Sequence, residues 1–152
     1  MADYFAASIE FPASALEDAE IKKALKDEGV KFEPLKGDPF REVEAKITEG
    51  IFYLYKAEAR WGQFEELESL LRSKGIPFDR QSGQAFEFIP ELVIFRPAKD
   101  GAPAQDLTFL LLDDEPAVPV REIKDRLSQG IGAIQAYLDI NYPDYPPLSD
   151  FV

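Results

Sequence analysis

Ile51-Phe52-Tyr53-Leu54-Tyr55-Lys56-Ala57-Glu58-Ala59-Arg60 is the stretch on which the fold turns. One parity holds Ile51, Tyr53, Tyr55, Ala57 and Ala59; the other holds Phe52, Leu54, Lys56, Glu58 and Arg60. Side chains on an extended chain alternate between faces, so this pattern predicts a strand buried on one face and partly solvated on the other. Gly62 breaks it. Phe64, Leu67, Leu70 and Leu71 then recur at helical spacing, with Glu65, Glu66, Glu68 and Arg72 outside, until Gly75 and Pro77 stop the helix. Ile76–Arg80 and Ala85–Phe88 predict two strands joined through Gln81-Ser82-Gly83-Gln84, and pairing resumes at Leu92–Phe95 after Pro90.

Upstream of this centre, Ala6–Phe11 predicts a short strand halted by Pro12. Ser14 and Glu17 have capping-box spacing for a helix over Ala15–Glu28 that ends at Gly29. Val30–Leu35 reads as a strand and Phe40–Glu49 as a short helix behind Pro39. Downstream, the continuous apolar run Leu107–Leu112 predicts a strand covered on both faces and ended by Asp113-Asp114-Glu115-Pro116. A single amphipathic helix from Val120 carries Ile123, Leu127, Ile131, Ile134 and Leu138 on one stripe, with Gly130 and Gly132 inside it. Strands and helices mix without strict βα repetition. The expected fold is therefore α+β, a mixed and mainly antiparallel sheet with helices packed on one face. Residues 1–140 form one domain in this reading, and 141–152 form a tail kept extended or irregular by Pro143, Pro146 and Pro147.

A chain of 152 residues is long enough for one domain with a real core. It has no cysteine and no histidine. Disulfides, thiol nucleophiles, Ser-His-Asp triads and imidazole bases drop out together, and only oxygen donors remain for a metal. No cofactor is expected. A net charge of −12 opposes direct contact with nucleic acid or an anionic membrane. The first residues lack the basic and apolar regions of a signal peptide, so a cytoplasmic location is the expectation.

Catalytic readings are thin. Asp113, Asp114 and Glu115 are the densest carboxylate group, but the spacing of a calcium loop is missing, and a solvated turn explains them as well. Glu58, Glu87 and Glu91 lie on or beside apolar strands as candidate acid and base, with Arg60, Arg80 and Arg96 as alternative partners. Ser73-Lys74 are helix neighbours that do not face each other.

Binding readings are better supplied. Trp61 falls at a strand-to-helix corner, as an interface anchor or as cover for the helix that follows. After Arg126 there is no Lys or Arg, and Tyr137, Tyr142, Tyr145 and Phe151 interleave with Asp139, Asp144 and Asp150. Such a tail suits docking into a basic groove, or packs back over its own sheet. Residues 1–49, 50–98 and 99–152 carry −5, −1 and −6, so the excess lies in the flanks and the middle reads as scaffold. The expected function is a non-enzymatic protein-binding module that presents acids to a basic protein surface. One version is a nucleic-acid mimic that inhibits a DNA- or RNA-binding complex of restriction or CRISPR type. The selected partner-binding residues are Trp61, Asp113, Asp114, Glu115, Asp139, Tyr142, Asp144, Tyr145 and Asp150. A structural or assembly domain is the alternative, and a carboxylate- or Mg-dependent hydrolase comes third.

Overall fold

The computed structural model describes residues 3–32, 43–83 and 88–152. Seven strands among them form one sheet: β1 Tyr4–Pro12, β2 Val43–Thr48, β3 Ile51–Arg60, β4 Phe78–Ser82, β5 Glu91–Arg96, β6 Gln105–Leu112 and β7 Glu115–Pro116. Their order is β2-β3-β1-β4-β5-β6-β7, and every described pairing is antiparallel. Four helices accompany the sheet: α1 Ala19–Asp27, α2 Glu65–Ser73, α3 Val120–Leu127 and α4 Ile131–Asn141. The class is α+β, as the alternation of patterns in the sequence implies. No helix among the described residues is long and apolar enough to cross a membrane.

Register decides which side chains share a face. Ile9 lies opposite Leu54 on one side and Arg80 on the other, and Phe78 lies opposite Phe95. Residues directly opposite in an antiparallel pair point the same way. Ala7, Ile9, Phe11, Phe52, Leu54, Phe78, Val93 and Phe95 thus make one apolar face. Ile21 and Leu25 of α1, with Phe64, Leu67 and Leu71, close over it to form the main core. In β3 the buried residues are Phe52, Leu54 and, near its end, Ala59 of the other parity; the tyrosines of that parity are half-buried.

The opposite face has its own cover. Ile94, Phe109 and Leu111 are buried there, and the Tyr142 and Tyr145 rings lie over Phe109. The segment carrying those rings stays irregular until a single 3-10 turn at Leu148–Phe151, whose Leu148 is buried.

Several expectations need correction. Val43–Thr48 is a strand, not part of a helix: β3 offers it a pairing edge along its whole length, from Val43 against Lys56 to Thr48 against Ile51. The connecting Glu49-Gly50 has positive φ at both residues (52° and 79°), as a tight two-residue hairpin requires. The first helix is split. Ala13–Glu17 is a 3-10 turn, and α1 starts at Asp18, whose Oδ1 accepts the Glu20 and Ile21 amides at 2.9 and 3.2 Å. Lys74 also donates to Asp18, and chiefly for that reason the carboxyl sits below its ordinary value. The long C-terminal helix is two helices, because Gly130 takes φ 102° and becomes the N-cap of α4. Strand β6 is covered on one face only; Leu110 and Leu112 are exposed. Residues 30–32 of the strand expected at Val30–Leu35 are not strand, and residues 33–35 and 85–87 of the two expected strands lie outside the described residues.

Glu10 lies opposite Asp79 on the second face of the sheet. Burial raises its carboxyl above the ordinary value, the Asp79 charge adds to this, and Lys46 opposes it. The native state therefore binds this proton more tightly than the unfolded chain. Stability is lost as pH rises from the ordinary carboxylate value through the raised one. Glu10→Gln is expected to raise the melting temperature at neutral pH, with the gain shrinking as pH falls toward 4.5. Parallel melting profiles for the two proteins across that range would contradict this.

Candidate functional site

The acidic turn, Trp61 and an open apolar cleft converge at one end of the sheet. Strands β6 and β7 are joined by Asp113-Asp114, both in the left-handed region (φ 52° and 63°), with Leu112 paired to Glu115. Asp tolerates that conformation better than most residues, which accounts for the acids in a two-residue turn. Among the described residues, three other such pairs, Glu49-Gly50, Trp61-Gly62 and Asp100-Gly101, use glycine second. Here a carboxylate stands in that place.

Between this turn and the Phe88–Pro90 segment lies a cleft of about 640 Å³. Phe88, Ile89, Leu110 and Leu112 give it apolar walls, and Asp113 and Asp114 form its rim. Leu112 is 70% exposed and Ile89 60%, so these side chains are turned outward rather than into a core. Gln81 Nε2 donates to Asp114 Oδ1 at 3.3 Å and ties the rim to β4.

Trp61 braces the wall from behind. Its ring meets Phe88 edge-on at 5.9 Å, and Phe88 stacks on Phe5 at 5.3 Å. A φ of 56° is costly for a bulky side chain, and the Trp61 amide, donating to Asp3 O at 2.7 Å, helps to hold it. Gly62 follows because nothing larger fits: a Cβ there would run into the Phe5 ring and Ser82. Trp61 is thus both a partly exposed ring and part of the corner that begins α2.

A buried ion cluster sets the frame. Arg80 Nε donates to Glu68 Oε1 at 3.0 Å, Nη2 to Glu91 Oε1 at 2.7 Å, and Nη1 to Gly62 O at 3.3 Å. Glu68 Oε1 also accepts the Phe64 amide at the start of α2, and Ser82 Oγ accepts the Glu91 amide. One guanidinium thereby links the Trp61 corner, α2, β4 and β5. Glu91 is engaged by Arg80, Glu58 is exposed, and Glu87 lies outside the described residues. Ser73 Oγ donates to Leu70 O. Among the described residues no three acids converge as a metal site requires.

The tail residues do not line the cleft, although Tyr142 bonds to Ala117, which does. The Tyr142 and Tyr145 rings stack on Phe109 at 5.7 and 6.1 Å, and Tyr142 Oη donates to Ala117 O at 2.9 Å. Burial raises both phenols above their ordinary value; Asp79 adds to this at Tyr145, where Arg96 opposes it. Arg96 clamps the same segment, donating through Nε to Pro146 O at 2.7 Å. The Asp139, Asp144 and Asp150 side chains are exposed. Gln105, at the start of β6, donates to Asp144 O, whereas Asp113 follows the far end of that strand. Eight strand residues put the two regions roughly 23 Å apart. Asp144, and Asp150 beside Lys99, therefore do not cluster with the turn acids.

Fold and site together define an antiparallel α+β protein with an acid-rimmed apolar cleft at the end of its sheet. No family model matches the chain, and no curated protein or solved structure is significantly similar to it.

The Arg80–Glu91 pair is among the partnerships the sequence offers, but the part of Glu68 and Gly62 in that cluster, and the cleft walls, are not legible there. The signal for the walls was the run Leu110-Leu111-Leu112 directly before two acids, read as strand burial. The helices α1 and α2 close over β1, β3 and β4, and Leu110 and Leu112 at the β6 end of the same face remain open.

Proposed function

We propose that this chain is a non-enzymatic protein-binding module whose cleft takes an apolar segment flanked by Lys or Arg on a basic partner. The observation that carries this reading is the meeting of the Asp113-Asp114 rim with the outward-turned Phe88, Ile89, Leu110 and Leu112. Apolar walls supply affinity by removing side chains from water, and exposed carboxylates accelerate encounter and disfavour acidic competitors. The net charge of −12 extends that steering to the whole surface. Where the partner is a DNA- or RNA-binding protein, the carboxylates take the part of phosphates and the bound chain blocks the groove by occupancy.

Trp61 is the sole tryptophan, and its ring touches the cleft wall through Phe88, so its fluorescence reports occupancy. The probe is a short peptide of alternating lysine and leucine, with a glutamate–leucine peptide as control. We expect saturable binding of the basic peptide alone, weakening as salt rises because exposed charges are screened beyond about 8 Å. The triple variant Asp113→Asn, Asp114→Asn, Glu115→Gln keeps residue size and a turn-compatible residue at each left-handed position. It should bind at least about tenfold more weakly. Its stability should stay within about 0.5 kcal/mol of the parent. Equal affinity of parent and variant, or equal binding of both peptides, sinks the reading.

A further inference from the structure

Helix α4 has a composition that the rest of the chain does not explain. Its eleven residues, Ile131-Gly132-Ala133-Ile134-Gln135-Ala136-Tyr137-Leu138-Asp139-Ile140-Asn141, hold a single charge and are apolar on nearly every side. Helices of that kind are ordinarily covered all round. Here Ala133, Ile134, Tyr137 and Leu138 are half-buried toward the protein, while Ile131, Gly132, Gln135, Ala136, Asp139 and Ile140 form an exposed face at helical spacing. Ile131 is 80% exposed and Ile140 76%.

Two details say what kind of surface would cover this face. The first is Gly132. A Cβ at this position would meet no atom within 4 Å, and the residue is not in the left-handed region. The chain itself gains nothing from a glycine that weakens its helix. With Ala136 one turn later, it leaves a shallow strip where another helix backbone can approach closely.

The second detail is the placement of charge. An isolated helix favours acids in its first turn and bases in its last. Helix α4 has neither, no side chain caps Gly130, and its one acid, Asp139, lies near the C-terminus. Gln135 Nε2 donates to that carboxylate at 2.7 Å from the same face.

We propose that this face is an interface between two copies of the chain, with their α4 helices packed antiparallel about a twofold axis near Gln135 and Ala136. That arrangement sets Ile131 against Ile140 and Gly132 against Asp139. Each Asp139 then lies beside the uncapped first turn of the other helix, where amide dipoles favour an anion. Both ends are corrected by one contact, which a basic partner would not do. A self-complementary patch of this kind is what a twofold dimer needs.

The area is sufficient. Ile131 and Ile140, together with the exposed Val120 and Leu127 (66% and 60%) of α3, which contacts α4, leave on the order of 500 Å² of residue surface per chain, so covering all four in a pair buries about 1,000 Å². That is the size of a weak, reversible interface.

Sedimentation equilibrium of the full chain across protein and salt concentrations tests the proposal. We expect a monomer–dimer equilibrium that tightens as salt rises, because screening relieves repulsion between two chains of −12. Ile140→Lys places a base at the C-terminal end of its own helix, where folding tolerates it, but opposite the first turn of the other copy. Gly132→Leu strengthens the helix and fills the strip. Each should weaken dimerisation at least about tenfold without lowering the melting temperature measured at dilutions where the parent is monomeric. The triple variant of the Asp113–Glu115 turn should dimerise like the parent, which separates this inference from the fate of the cleft. A chain that stays monomeric at high concentration and high salt overturns the proposal. So does a dimer indifferent to both α4 substitutions.

Discussion

Arg80→Leu is expected to cost about 3–5 kcal/mol of folding stability, a large share of the 5–15 kcal/mol typical of a domain. The Arg80 side chain is only 3% exposed and serves three acceptors at once: Glu68, Glu91 and the Gly62 carbonyl. Glu91 is part-exposed and can turn to water. Glu68 cannot. It is buried against the start of α2, and its other cationic neighbour, Arg72, approaches only to 3.6 Å. Most of the loss is thus the stranded carboxylate rather than the pair itself. The double variant Arg80→Leu with Glu68→Gln should recover much of the stability, since glutamine keeps an oxygen for the Phe64 amide and buries no charge. Urea unfolding of the three proteins measures this. A single variant within about 1 kcal/mol of the parent would show that the cluster is not a structural anchor.

Arg96→Met is expected to cost about 2–4 kcal/mol and to loosen one end of the chain selectively. Arg96 Nη1 donates to Asp79 Oδ1 at 2.6 Å and to the carbonyls of Phe78 and Phe95, while Nε reaches Pro146 O. The guanidinium also lies over the Tyr145 and Phe151 rings at 5.5 and 5.9 Å. Its Nη2 is buried with no hydrogen-bond partner among the described residues, and the ring faces offer the guanidinium a cation–π contact instead. Methionine keeps apolar bulk but restores none of the four donations. Hydrogen exchange should accelerate first at residues 148–152, ahead of β1 and β3. Uniform acceleration across the sheet, or none, would contradict the clamp.

The cleft and the α4 face differ in the sign of their salt dependence. Docking of a basic partner pairs opposite charges and weakens with salt; pairing of two acidic chains opposes like charges and strengthens with it. One titration of ionic strength therefore separates the two surfaces in the same preparation.

Alternation in Ile51–Arg60 and the helical spacing of Phe64, Leu67 and Leu71 determine element type by themselves, because periods of two and 3.6 are local properties of the backbone. They also determine the class, since such elements bury their apolar sides only as a sheet with helices on it. The absence of His and Cys and the charge of −12 bound the chemistry in the same direct way. Val43–Thr48 was different: a weakly patterned segment becomes a strand when β3 supplies a partner edge, and no local signal carries that partner. The break at Gly130 likewise depended on a glycine adopting positive φ, which sequence permits but does not compel.

The tail and the cleft belong wholly to the tertiary structure. Phe109 and Leu110 are neighbours in sequence, yet one lies under Tyr142 and Tyr145 and the other opens onto the cleft. Pleating sends consecutive residues to opposite faces, and the register of β6 on β5 decides which face each takes. What covers a face is then set by where distant segments return: α1 and α2 over one side, Tyr142 and Tyr145 over the other. Those returns span most of the chain, so burial of a given Leu or Tyr was settled by contacts that its own neighbourhood does not encode.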